Sequence, residues 1–160
     1  MKEVTVVGAG VIGASWAKLF AQNGWNVTLS DPREDLQQII DSQLAGLPVR
    51  GVVDLAEAAQ GADFVQECGP ERIQIKHQMF RTLADATRDD VVLASSSSSL
   101  LPTRIAEGCP AADRSVVIGH PFNPPELMPL VEVVPGEKTS TAPVDKAVEV
   151  YRVSGQGIAR

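Results

Sequence analysis

The segment GHPFNPPELMPLVEVV, residues 119–134, sets a histidine, His120, twelve residues before an acid, Glu132. An imidazole accepts a proton near neutral pH, and a carboxylate beside it can fix its tautomer and stabilise the imidazolium. Together they have the makings of a general base. Upstream, five consecutive serines, Ser95–Ser99, close an apolar run and offer hydroxyls able to hydrogen-bond a substrate oxygen. The same residues also fit a blander arrangement, in which His120 ends a strand, Glu132 sits on a sheet edge and the serines form a polar turn. Spacing alone does not choose between the two.

A second set of residues narrows the chemistry. VTVVGAGVIGASWAKLF, residues 4–20, places Gly8, Gly10 and Gly13 between an apolar run and a stretch with helical spacing. In a strand–turn–helix unit the first glycine permits the tight turn. The second lets the backbone approach a pyrophosphate, and the third lets the helix pack closely on the sheet. Val11 and Ile12 open that helix, whose free N–H groups and positive dipole end then face the phosphates. Asp31 follows Gly13 by eighteen residues, after a second strand-like run. A carboxylate there accepts hydrogen bonds from the adenosine ribose and repels a 2′-phosphate, so the expected cofactor is NAD rather than NADP. Arg33, two positions on, could instead stack on the adenine or reach a phosphate.

These residues need elements to hold them, and the chain supplies an alternation. Strands are expected at 3–8, 26–30, 49–53 (weakly), 62–67, 90–96, 114–120 and 130–135. Helices are expected over Ile12–Gln22, near 33–45, near 54–60, near 71–86 and over Pro143–Ser154, with one further strand only starting at the C-terminus. Strands alternating with helices imply βαβ units, right-handed crossovers and an α/β fold with a doubly wound, mostly parallel sheet. Sites in such a fold form at the carboxyl ends of the strands, where the glycines, the serines and His120 all fall.

Composition bounds the rest. The 160 residues, 44% hydrophobic and 21% charged, are those of a single globular domain. A formal net charge of −6 and the lack of any Lys/Arg cluster argue against nucleic-acid or anionic-membrane partners. No apolar run approaches membrane-spanning length, and a strand beginning at Glu3 leaves no room for a signal peptide. Cys68 and Cys109 lack metal-ligand spacing and are expected to be reduced thiols in a cytoplasmic protein; no metal is expected. His77 reads as a surface or boundary histidine.

Several segments together resemble one family. GHPFNPPELMPLVEVV is similar to the histidine signature of the 3-hydroxyacyl-CoA dehydrogenases, VVLASSSSSLLPTRIA to their serine segment, and DFVQECGPERIQIKHQMFRTL to a strand–helix unit carrying a glutamate and a lysine. The PP after HPFN and the proline before LVEVV resemble the branch holding L-gulonate 3-dehydrogenase, lambda-crystallin and the carnitine dehydrogenases. The resemblance implies an NAD-dependent oxidoreductase acting on a 3-hydroxy acid or its thioester. In it His120 is the general base, Glu132 its support, Ser98 the hydroxyl on the reacting oxygen, and Asn123 a loop-ordering residue near the nicotinamide. Glu67 and Lys76 correspond to residues flanking the ribose and nicotinamide side.

The chain also departs from that family. Members continue into an all-helical domain that supplies dimer contacts and part of the substrate pocket, and they carry a helical hairpin between the positions of Asp31 and Asp63. Here the sequence stops at Arg160 and that interval is short. The expectation is a trimmed dinucleotide-binding core of residues 1–160, binding NAD and a small-molecule substrate, with its oligomeric state open and turnover weak or absent.

Overall fold

The computed structural model describes residues 2–110, 113 and 115–160. Its strands are β1 (Lys2–Val7), β2 (Trp25–Ser30), β3 (Val49–Val52), β4 (Phe64–Glu67), β5 (Val92–Ser95), β6 (Val116–Pro121), β7 (Leu130–Pro135) and β8 (Gly157–Ala159). The helices are α1 (Val11–Gln22), α2 (Leu36–Gln43), α3 (Leu55–Ala59), α4 (Ile73–Ala86), α5 (Pro102–Ala106) and α6 (Thr141–Val153). All eight strands form one sheet in the order β3-β2-β1-β4-β5-β6-β7-β8. The order reverses between β1 and β4, which opens a crevice at their carboxyl ends. The expected strand start at Arg114 lies outside the described residues.

Period-two alternation explains how both faces are covered. Val4 and Val6 of β1, Phe64 of β4 and Val92 of β5 turn to one face, where they meet Trp16 and Phe20 of α1 and Tyr151 of α6. Val7, Val65 and Leu93 turn to the other, against Phe80 and Leu83 of α4 and Ile105 of α5. α1 approaches closely because Gly13, Ala14, Ala17 and Ala21 line its buried side. Trp16 anchors it, with ring centroids 5.2 Å from Phe20 and 5.3 Å from Tyr151. Burying each such ring contributes roughly 1.5–3 kcal/mol.

One helix, α5, went unread in the sequence, the C-terminal strand expected only as a start is β8, and β7 and β8 run against the other six strands. α5 is a single turn with proline in its opening positions, too short to show a period. β8 is three residues at the sheet edge, parallel to β7. β7 is antiparallel to β6. The connection, residues 122–129, is shorter than the dozen or more residues a parallel crossover needs, so the chain can only turn back.

Candidate functional site

The carboxyl ends of β1, β2, β4, β5 and β6 build one edge of the molecule. β1 is followed by Gly8, whose φ of +98° a side chain would strain, and a Cβ there would lie 2.7 Å from the Cys68 carbonyl oxygen. Gly13 is fixed for a different reason: its Cβ would stand 1.7 Å from the Gly8 carbonyl oxygen, so only glycine lets α1 seat on the turn. Gly10 differs again. A Cβ there meets no protein atom within 4 Å and would project into open space. Gly10 is also the N-cap of α1; no side chain caps the helix and no acid occupies its first turn. The first-turn amides, those of Val11, Ile12 and Gly13, therefore have no intrahelical carbonyl to bind and remain available to an anion.

A cleft of about 610 Å³ begins at this turn and runs past Ser30, Asp31 and Arg33 to an apolar end formed by Val53, Leu55, Ile75 and Met79. Asp31 is held by two backbone donors, with Ala9 N–H on Oδ2 at 2.8 Å and Arg33 N–H on Oδ1 at 3.0 Å. Each carboxylate oxygen keeps further acceptor capacity. The Arg33 guanidinium is turned to Asp35 in a two-pronged pair, Nη2 to Oδ2 at 2.9 Å, on the rim of this cleft. A glycine cradle open above Gly10, free helix amides and a carboxylate at the end of the neighbouring strand suit a dinucleotide.

A smaller cleft of about 210 Å³ lies on the other side of Cys68 and Gly69, which border both. It is lined by Ile12, Glu71, Ser96–Ser98, His120 and Asn123. Here the reversal of β7 decides the geometry. In the antiparallel register His120 stands directly opposite Glu132, and the separation of twelve residues becomes a cross-strand pair. His120 Nδ1 and Glu132 Oε2 are 2.9 Å apart. An ionised carboxylate can only accept, so Nδ1 is the donor, and in the neutral imidazole Nε2 then keeps the lone pair. Asn123 is exposed and lines the cleft, and its amide makes no hydrogen bond among the described residues. The loop is tied by others: Leu127 and Met128 N–H to the Pro124 carbonyl, and Gln156 Nε2 to the Pro125 carbonyl.

Glu67 and Lys76 lie deeper than their correspondence suggested. Both side chains are fully buried, with Lys76 Nζ 2.8 and 2.9 Å from the two carboxylate oxygens. The carboxylate also accepts Ser95 Oγ–H and Gly69 N–H, each at 2.6 Å. Four hydrogen bonds from these three groups fill its acceptor sites, so Glu67 holds the turn after β4 between the two clefts and has no capacity left for a ligand.

The serine tract shows what sequence reasoning missed. Five identical residues take four different jobs. Ser95 bonds Glu67, and Ser97 and Ser99 both donate to Glu71 Oε2, at 2.8 and 2.9 Å. Burial acts to raise the Glu71 pKa, but those hydroxyls and the Lys76 ammonium outweigh it and hold the carboxyl below its ordinary value. Ser96 receives Trp16 Nε1–H and Gln66 Nε2–H. Ser98 is exposed in the small cleft with no hydrogen bond among the described residues, which leaves its hydroxyl available. Nothing in a homopolymeric run could have assigned these partners, which come from β4, α1 and the turn after β4. Cys68 and Cys109 are free thiols, and burial pushes the Cys68 thiol up to about 12. His77 packs at the α4–α5 boundary with Nε2 2.7 Å from the Arg104 carbonyl oxygen. Among the described residues no helix is long and apolar enough to cross a membrane.

The family model for the 3-hydroxyacyl-CoA dehydrogenase NAD binding domain matches residues 3–47 and 41–158. The chain is 40% identical to a 3-hydroxyacyl-CoA dehydrogenase of Gibberella moniliformis, covering 98% of the chain and 53% of that protein. It is 40% identical to an L-carnitine dehydrogenase of Nocardiopsis dassonvillei (99% and 53%) and 38% identical to the lambda-crystallin homolog of Bos taurus (98% and 55%). It thus spans about half the length of these relatives. Among solved structures, 3-hydroxybutyryl-CoA dehydrogenase of Escherichia coli superposes with a TM-score of 0.91 at 29% identity, covering 99% of this chain and 38% of that one. Glycine cradle, strand order and whole-chain match agree: the chain belongs to the 3-hydroxyacyl-CoA dehydrogenase family, as its NAD-binding domain.

Proposed function

We propose that residues 1–160 act as one dinucleotide-binding unit that carries the proton-handling half of an NAD-dependent dehydrogenase for a 3-hydroxy acid or 3-hydroxyacyl thioester. The observation that carries this reading is the His120–Glu132 pair at 2.9 Å, in a cleft that shares the Cys68–Gly69 wall with the cofactor cradle. The amides of Val11 and Ile12 bind the pyrophosphate beside Gly8, Gly10 and Gly13. Asp31 accepts the ribose hydroxyls and disfavours a 2′-phosphate, and Arg33 borders the adenine end. Bound NAD supplies a two-electron hydride acceptor. The chain's own part is to place the substrate and move its proton. Ser98 donates to the reacting oxygen, His120 Nε2 takes the hydroxyl proton, and Glu132 stabilises the imidazolium that results. Asn123 borders the same cleft, while Glu67 and Lys76 fix the wall between the two ligands. The free thiols and acidic balance fit the cytoplasm.

The test is substrate-dependent NADH formation, followed by absorbance across a panel of 3-hydroxy acids and thioesters. Removal of a general base typically lowers turnover about 10²–10⁴-fold. His120→Ala should fall at least that far with its NAD affinity unchanged; equal rates for wild type and variant would remove the catalytic role. A second reading, a binding module without turnover, is favoured by exposure of the pair: 48% of the Glu132 side chain faces solvent, where water competes for its charge. It predicts NAD binding with no NADH from any substrate.

A further inference from the structure

Ser96 is in an unusual bonding position. Its Oγ accepts the Trp16 indole N–H at 3.1 Å and the Gln66 amide N–H at 2.8 Å. Both partners are donors only at those atoms, and a hydroxyl oxygen has two lone pairs. Ser96 is thereby left with its own proton and nothing further to accept. The orientation of Gln66 is itself fixed: Tyr151 Oη–H donates to Oε1 at 2.6 Å, while Nε2 also reaches the Gly119 carbonyl at 3.3 Å. Tyr151 and Gln66 are fully buried, so no solvent can reorganise the set.

The remaining contact of Ser96 is Cys68 Sγ at 3.2 Å. By the count of lone pairs, the hydroxyl donates and the sulfur accepts. Burial keeps that thiol protonated, and a neutral thiol sulfur is a weak acceptor. The proton is therefore parked on a poor partner at the lining of the small cleft, beside the wall that Cys68 and Gly69 share with the dinucleotide cleft.

We propose that Ser96 is a further ligand-binding residue: a hydroxyl locked as a donor, which passes its hydrogen bond from Cys68 Sγ to the uncharged carboxamide oxygen of the bound cofactor's nicotinamide. This rests on the dinucleotide reading above. Trp16, Gln66 and Tyr151 are the positioning residues that set its polarity. Any group that can only accept would serve as ligand atom; a donor would find no lone pair.

The experiment compares NAD with ADP-ribose, which lacks the nicotinamide, by calorimetric titration of the full chain and its Ser96→Ala variant. Loss of one neutral hydrogen bond should weaken NAD binding about three- to tenfold and leave ADP-ribose binding unchanged. Equal weakening of both ligands, or of neither, overturns the proposal. Should Ser96→Ala fail to fold, the wild type decides: NAD, but not ADP-ribose, should shift the Trp16 indole N–H resonance, with Trp25 as the internal control. An unmoved Trp16 resonance under saturating NAD overturns it as well. Failure of the wild type to bind either ligand would instead remove the dinucleotide reading on which it stands.

Discussion

The three glycines of the first turn should separate into folding and binding roles when each is given a side chain. At Gly10 a Cβ meets nothing within 4 Å and the backbone sits at φ −72°, ψ −172°, which a β-branched residue adopts freely. Gly10→Val gains about 0.4–1 kcal/mol from a stiffer unfolded chain and loses a similar amount at an N-cap that prefers glycine. Its melting temperature should stay within about 2 °C of wild type. The isopropyl group instead occupies the space a pyrophosphate must enter, and NAD affinity should drop at least about tenfold, a loss of roughly 1.4 kcal/mol. At Gly13 the added Cβ falls 1.7 Å from a backbone oxygen. No rotamer relieves that contact, and α1 must lift off the turn. Overpacking of this kind costs about 1–3 kcal/mol or more, and at 160 residues each kcal/mol lowers the melting temperature by about 2–4 °C. Gly13→Ala should therefore melt several degrees lower. Thermal unfolding and calorimetric NAD titration of the two variants, run side by side, read both effects. If Gly10→Val binds NAD like wild type, or melts as low as Gly13→Ala, the division between cradle and packing glycine is wrong.

Other outcomes follow from the buried groups. Glu67→Gln leaves the Lys76 ammonium buried against a neutral amide and the more distant Glu71, so unfolding in urea should show a loss of about 3–5 kcal/mol; the double variant Glu67→Gln/Lys76→Met should recover part of it, and simple additivity would argue against a coupled pair. Burial raises the Cys68 thiol from an ordinary value near 9.0 to about 12. A raised folded-state pKa contributes stability that is fully present below pH 9 and lost as pH climbs toward 12. Tyr151, also raised by burial, adds in the same direction. Stability measured between pH 8 and 11 should fall, and Cys68→Ala should flatten the early part of that fall; a flat wild-type profile would refute the assignment.

Parts of this architecture were readable from the chain, and the reasons are local. Gly8, Gly10 and Gly13 lie within six residues of one another, so strand, turn and helix are built from neighbours whose spacing carries the geometry. Val4, Val6 and Val7 announce a strand buried on both faces in the same way, and Asp31 follows at the end of the next. His120 and Glu132 were legible as a candidate pair, but the cross-strand geometry that joins them was not. Their meeting depends on β7 turning back, which the short 122–129 connection enforces only once β6 has a place in the sheet.

The remainder was decided by tertiary structure. Ser95 and Ser96 are the same residue type; one bonds Glu67 and the other accepts hydrogen bonds from Trp16 and Gln66, because successive side chains at a strand end face opposite ways and different elements wait on each side. Trp16 and Ser96 are separated by eighty residues and Tyr151 and Gln66 by eighty-five. Local spacing sets which conformations a segment can adopt. Which buried donor finds which acceptor is settled only when the sheet order brings distant strands side by side and dehydration forbids leaving either one alone.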